Sequence, residues 1–178
     1  MKRIGKYISI FAVLAFIFVL ASCSGYNFYK DFKNAGAEID SDHSFISLTA
    51  DEVDTFRKDK KEFVIIVGSS SNSTCVTAIT KIQDEFTNIK YKGKAYFLSV
   101  KDALTSTSEG SRVSKILSSD IDAGNDGVIV IAYDKNGNTK FNTKKSDDLD
   151  AKKFKPNGTI AYRAIADYIA EYYPVEVE

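Results

Sequence analysis

The chain has no tryptophan, a single histidine, two cysteines and two prolines. These shortages exclude more chemistry than any motif supplies. With His43 alone, a Cys/His zinc centre runs short of ligands and most catalytic triads lack their base. His43 itself, in a polar stretch ahead of the first expected strand, is expected as an exposed loop residue. Cys23 and Cys75 are the only sulfur nucleophiles. Pro156 and Pro174 lie near the C-terminus, so every apolar run before them is uninterrupted. No Gly-Lys-Ser/Thr phosphate loop is present. Lysine pairs at 60–61, 144–145 and 152–153 sit among carboxylates and read as solvated charge, so nothing in the linear order suggests nucleic acid, which needs clustered Lys and Arg.

What the chain does have begins at its N-terminus. Lys2, Arg3 and Lys6 precede an apolar run from Tyr7 to Leu20, and two small residues then lead to Cys23. The run falls short of the roughly 20 residues that span hydrocarbon, and its small-residue exit favours a cleaved signal. Leu20-Ala21-Ser22-Cys23 resembles the lipobox of bacterial lipoproteins. That resemblance implies diacylglycerol on the Cys23 sulfur, cleavage before Cys23, acylation with chains of the palmitate type, and a place on the extracytoplasmic face of the cell membrane. Two acyl chains anchor stably where one is marginal. The expected division is a signal peptide over 1–22, a lipidated N-terminus and tether over 23–44 with a short helix near Tyr29–Lys33, and one domain over 45–178. Three of the 24 basic residues and none of the 24 acidic ones lie in the signal, so the mature chain carries 21 against 24. Membrane contact is therefore expected from lipid and not from protein electrostatics.

Phe45–Leu48 reads as a short strand. Thr49-Ala50-Asp51-Glu52 is a capping box, with Leu48 and Val53 placed as its hydrophobic staple, and predicts a helix from Ala50 to about Lys60. The β-branched run over Glu62–Gly68 predicts a strand buried on both faces. After a polar loop over 69–74, Cys75, Ala78, Ile79, Ile82, Phe86 and Ile89 fall on one helical face. Ala95–Val100 is a further strand, and Val113, Ile116 and Leu117 suggest a helix within 105–122. Val128–Tyr133 and Thr139–Thr143 form a hairpin about Asp134–Gly137, the second strand polar enough for an edge. Residues 142–158 read as a long loop, and Tyr162, Ile165, Ala166, Ile169 and Tyr173 stripe a closing helix. Asp120, Asp122, Asn125 and Asp126 miss the spacing of a calcium loop. The fold class expected is α/β, a mixed central sheet with helices on both faces in the order β-α-β-α-β-α-β-β-α.

That order resembles the thioredoxin fold over about residues 45–173. Placing Ile65–Ser71 on the family's strand and loop sets Asn72-Ser73-Thr74-Cys75 on its Cys-x-x-Cys motif. Asn72 then stands for the attacking cysteine, and Cys75 for the buried, resolving one. The family's tryptophan before the motif and its cis-proline are missing, the latter position falling at Asp126-Gly127-Val128.

Dithiol exchange needs a second thiol to resolve the mixed disulfide. A helix N-terminus favours the thiolate, while the apolar face that Cys75 shares opposes it. The Ser69–Ser73 run reads as helix capping ahead of anion binding. The resemblance thus implies a membrane-anchored accessory or binding module with a redox-degenerate domain, no cofactor, no metal, and another envelope protein as its partner. The alternatives are a monothiol redox protein using Cys75 and a solute- or peptide-binding lipoprotein.

Overall fold

The structure, a computed structural model, describes residues 27–100, 127–143, 151–154 and 160–173. Its elements are α1 (Phe28–Asn34), β1 (Phe45–Leu48), α2 (Ala50–Lys58), β2 (Phe63–Gly68), α3 (Ser73–Asn88), β3 (Ala95–Ser99), β4 (Val128–Tyr133), β5 (Thr139–Asn142), α4 (Ala151–Phe154) and α5 (Tyr162–Tyr172). The signal segment, Cys23, the helix expected within 105–122 and the acidic stretch at 120–126 lie outside the described residues.

The five strands make one mixed sheet in the order β1-β3-β2-β4-β5. β3 runs parallel to β1 and β2, whereas β4 runs antiparallel to β2 and β5. Alternate side chains of the strands feed two cores. Val64, Ile66, Phe97, Val130 and Phe141 pack under α1, α3, α4 and α5. Phe63, Ile65, Val67, Leu98 and Ile131 pack under α2 on the opposite face. The fold is therefore α/β with a mixed sheet and helices on both faces. All six residues of β2 are buried, which is why its sequence is continuously apolar and not alternating. Among the described residues, no helix is long and apolar enough to cross a membrane.

Local chemistry sets the helix ends. The Thr49 hydroxyl accepts from the Glu52 N–H at 3.2 Å, and the Glu52 carboxylate accepts from the Thr49 N–H at 2.6 Å, closing the expected capping box. Leu48 and Val53 are buried together beside it. At the C-terminal ends of α2 and α3 the chain turns through Lys60 (φ 56°) and Lys90 (φ 57°), both left-handed. Lys61 N–H reaches Phe56 O and Tyr91 N–H reaches Phe86 O, each at 2.9 Å. Glycine ordinarily fills this position, since a side chain there costs roughly 1–2 kcal/mol. The β4–β5 turn closes on Asp134, whose carboxylate accepts from the N–H groups of Asn136 (2.8 Å) and Asn138 (2.9 Å), with Gly137 at φ 80°.

Three expectations are corrected. The segment assigned to the tether holds the short helix expected there as α1, but its Phe28 and Phe32 are buried within the core, Phe28 stacking on Phe45 and Phe32 meeting Phe97 edge-on. The Ser44 N–H donates to Gln83 and the Glu38 N–H to Thr80, fixing the return from α1 along α3. His43 is half-buried against Phe28, and its Nδ1 accepts from the Phe45 N–H at 3.1 Å. The stretch read as a loop over 142–158 includes α4, whose Phe154 stacks on Phe141 at 5.0 Å and covers the β5 end of the sheet.

Candidate functional site

The residues singled out by the sequence meet where β2 ends. β2 stops at Gly68, the chain turns through Ser69–Ser71, and α3 begins at Ser73. Asn72 is the N-cap: its side-chain oxygen accepts from the N–H of Thr74 at 2.9 Å and of Cys75 at 3.1 Å. Two of the four otherwise orphaned amides of the helix start are thereby satisfied. The Ser69 hydroxyl does the same within the loop, accepting from the Ser71 N–H at 3.2 Å. Ser71, Ser73 and Thr74 face solvent, while Cys75 faces inward. The loop thus behaves as the capping device its composition suggested.

Cys75 is 0% exposed and belongs to the core that includes Ile79, Val128 and Phe97. Two glycines make room for it. A Cβ on Gly68 would meet the Cys75 sulfur, and one on Gly127 would meet the backbone of Thr74 and Cys75, in each case nearer than the 3.0 Å that real Cβ atoms keep. Gly127 also sits at φ 73°, a left-handed conformation that glycine adopts at little cost. The helix start therefore packs directly against Gly127, and the buried sulfur against Gly68.

Burial pushes the Cys75 thiol up to about 12, and a backbone hydrogen bond with Ser69 offsets only part of that. Desolvation outweighs the helix N-terminus here, as it does wherever a thiol lacks a charged partner in an apolar setting. The sole imidazole cannot act as its base. His43 precedes β1, at the end of the parallel strands opposite the one where Cys75 follows β2. Among the described residues, no group of three His, Cys, Asp or Glu side chains could hold a metal ion.

The structure thus brings Asn72, Ser73, Thr74 and Cys75 together, as any contiguous stretch must be, and adds Gly68 and Gly127 from elsewhere. Sequence reading treated Gly127 only as the place of a missing proline. Its positive φ and its contact with the helix start depend on long-range packing that no local pattern encodes.

No protein-family model matches this chain, and no curated protein matches it either.

Proposed function

We propose that this chain is a lipid-anchored extracytoplasmic protein whose thioredoxin-like domain acts as a binding or accessory module and does not exchange disulfides. The thioredoxin-like reading is supported by the strand order β1-β3-β2-β4-β5, with the first three strands parallel and the last two antiparallel. It is supported further by a helix that opens at the end of β2 with Asn72-Ser73-Thr74-Cys75 in its first turn. The lipid anchor is supported by Leu20-Ala21-Ser22-Cys23 after a charged head and an apolar run. The partner expected is another protein of the envelope.

The observation that carries the non-redox reading is the sealed sulfur. A nucleophile must present a thiolate to its substrate, and Cys75 is wholly buried with its ionisation driven far above neutrality. Asn72, at the position matched to the family's attacking cysteine, serves as the helix cap, so the motif offers no second thiol. The test is the rate of Cys75 alkylation against pH in the mature protein. Protection that persists until denaturant is added is the expected result. Fast modification with a midpoint well below the free-thiol value of about 8.5 would instead establish the monothiol reading. Incorporation of labelled palmitate, abolished by Cys23→Ala, tests the anchor separately.

A further inference from the structure

The lysines that look scattered along the sequence converge in the fold. Because β1, β3 and β2 are parallel, their starts lie at one end of the sheet, and β4, antiparallel to β2, finishes there too. Three connections meet at that end: residues 58–62 ahead of β2, 90–94 ahead of β3, and 134–138 between β4 and β5. Adjacent strands are about 4.8 Å apart, so these turns stand side by side. They expose Lys58, Lys60, Lys90, Lys92 and Lys135, while the Lys61 ammonium donates to the Tyr96 hydroxyl at 3.1 Å over the Phe56 ring and Lys94 bends inward to the carbonyls of Asp42 and His43.

The carboxylates at this end are fewer, and two are engaged. Asp134 holds the amides of its own turn. Glu62 accepts from the Tyr173 hydroxyl at 3.1 Å and lies 3.7 Å from Lys140. Asp54 beside Arg57, Asp59, and Asp40 and Asp42 ahead of β1 add further negative charge at this end. Lys60 and Lys90 occupy the two left-handed positions described above, where glycine would be easier for the backbone.

The N-terminus enters at the same end. Phe28 lies 4.9 Å from both His43 and Phe45, which lead into β1. Cys23 precedes Asn27 by four residues, a reach of about 14 Å at full extension. Attraction between lysines and anionic headgroups acts within roughly a Debye length, about 8–10 Å at ordinary ionic strength. A lipid on Cys23 would therefore hold this end where that attraction operates.

We propose that the lysine-rich end formed by residues 58–61, 90–94 and 135 docks on an anionic lipid surface and turns the Asn72–Cys75 end away from the membrane. The proposal rests on the lipid-anchor reading above. It also replaces the expectation that protein electrostatics add nothing to membrane contact.

The test uses the mature lipoprotein reconstituted into vesicles of phosphatidylglycerol and phosphatidylcholine, or of phosphatidylcholine alone. Lysine acylation is then followed by mass spectrometry. Lys58, Lys92 and Lys135 are expected to label at least threefold more slowly on the anionic vesicles, about the effect of a lysine held at a charged surface. Lys81, on α3, keeps its rate. Molar salt removes the difference. The paired substitution Lys60→Gly with Lys90→Gly relieves two left-handed side chains, so the fold holds. It should leave flotation with vesicles intact and abolish most of the protection. Equal labelling on both vesicles with normal flotation overturns the docking proposal alone. Failure to float on either vesicle overturns the anchor, and the proposal with it.

Discussion

The sulfur of Cys75 occupies the space that a Cβ on Gly68 would need. The two positions are therefore coupled, and the coupling can be measured. Gly68→Ala is expected to destabilise the protein by about 1–3 kcal/mol, the usual cost of overpacking a filled core. In a Cys75→Ala background the same change should cost clearly less, because the obstructing atom is gone. Gly127→Ala is expected to gain little from that background, since its obstacle is the Thr74–Cys75 backbone and its φ is 73°. Denaturant midpoints of the two cycles decide the matter. Additive costs at 68 and 75 would mean that the sulfur lies elsewhere.

Alkaline stability should depend on Cys75. Burial raises its folded-state pKa from 9.0 to about 12. The unfolded chain releases that proton first, so the contribution is complete below pH 9 and is lost as pH rises towards 12. The wild type should lose up to about 1.4 kcal/mol per pH unit in this window relative to Cys75→Ala. Tyr133, also shifted upward, is common to both proteins and cancels. Parallel urea midpoints for wild type and variant across pH 8–11 would contradict the burial of the thiol.

His43 titrates below its ordinary value of 6.5, because burial and then Lys94 oppose its charge more than Asp42 supports it. Its contribution to stability is thus present above pH 6.5 and lost as pH falls through the folded-state value. As the only imidazole in the chain, it gives a single set of ring-proton resonances in an NMR titration. A midpoint below 6.5 is expected, moving part of the way back in Lys94→Met. A midpoint at or above 6.5 would show that the ring is not packed under Phe28.

The elements that could be read from the sequence were those whose signal is local. The capping box at Thr49 and Glu52, the unbroken apolar run of β2, the helical spacing from Cys75 to Ile89 and the Asp134–Gly137 turn each need only a few adjacent residues. What the sequence does not reveal, the docking of the expected helix α1 and the existence of α4, depends on partners far along the chain. α1 has just two core-facing aromatics, and it becomes part of the domain only because Phe45 and Phe97 receive them. α4 is a single turn, too short to show periodicity, and is held by Phe154 on Phe141. The candidate site divides in the same way. Asn72 as a cap follows from residue type, whereas Gly68, at the end of β2, and Gly127, just before β4, reach the helix start from distant parts of the chain. Lysine clustering is invisible in the linear order because it is created by strand direction, not by sequence proximity.

The burial of Phe28 and Phe32 has a bearing on proteolytic release. Each buried phenylalanine contributes about 1.5–3 kcal/mol, and a domain of this size has only about 5–15 kcal/mol in total. A protease that cut beyond α1 would remove both rings, leaving a fragment short of much of its stability and exposing Phe45 and Phe97. If Cys23 carries the proposed lipid, a shed form that keeps α1 arises from cleavage between Cys23 and Phe28. On the lipid-anchor proposal a shed species should therefore begin there, and fragments beginning later should be short-lived.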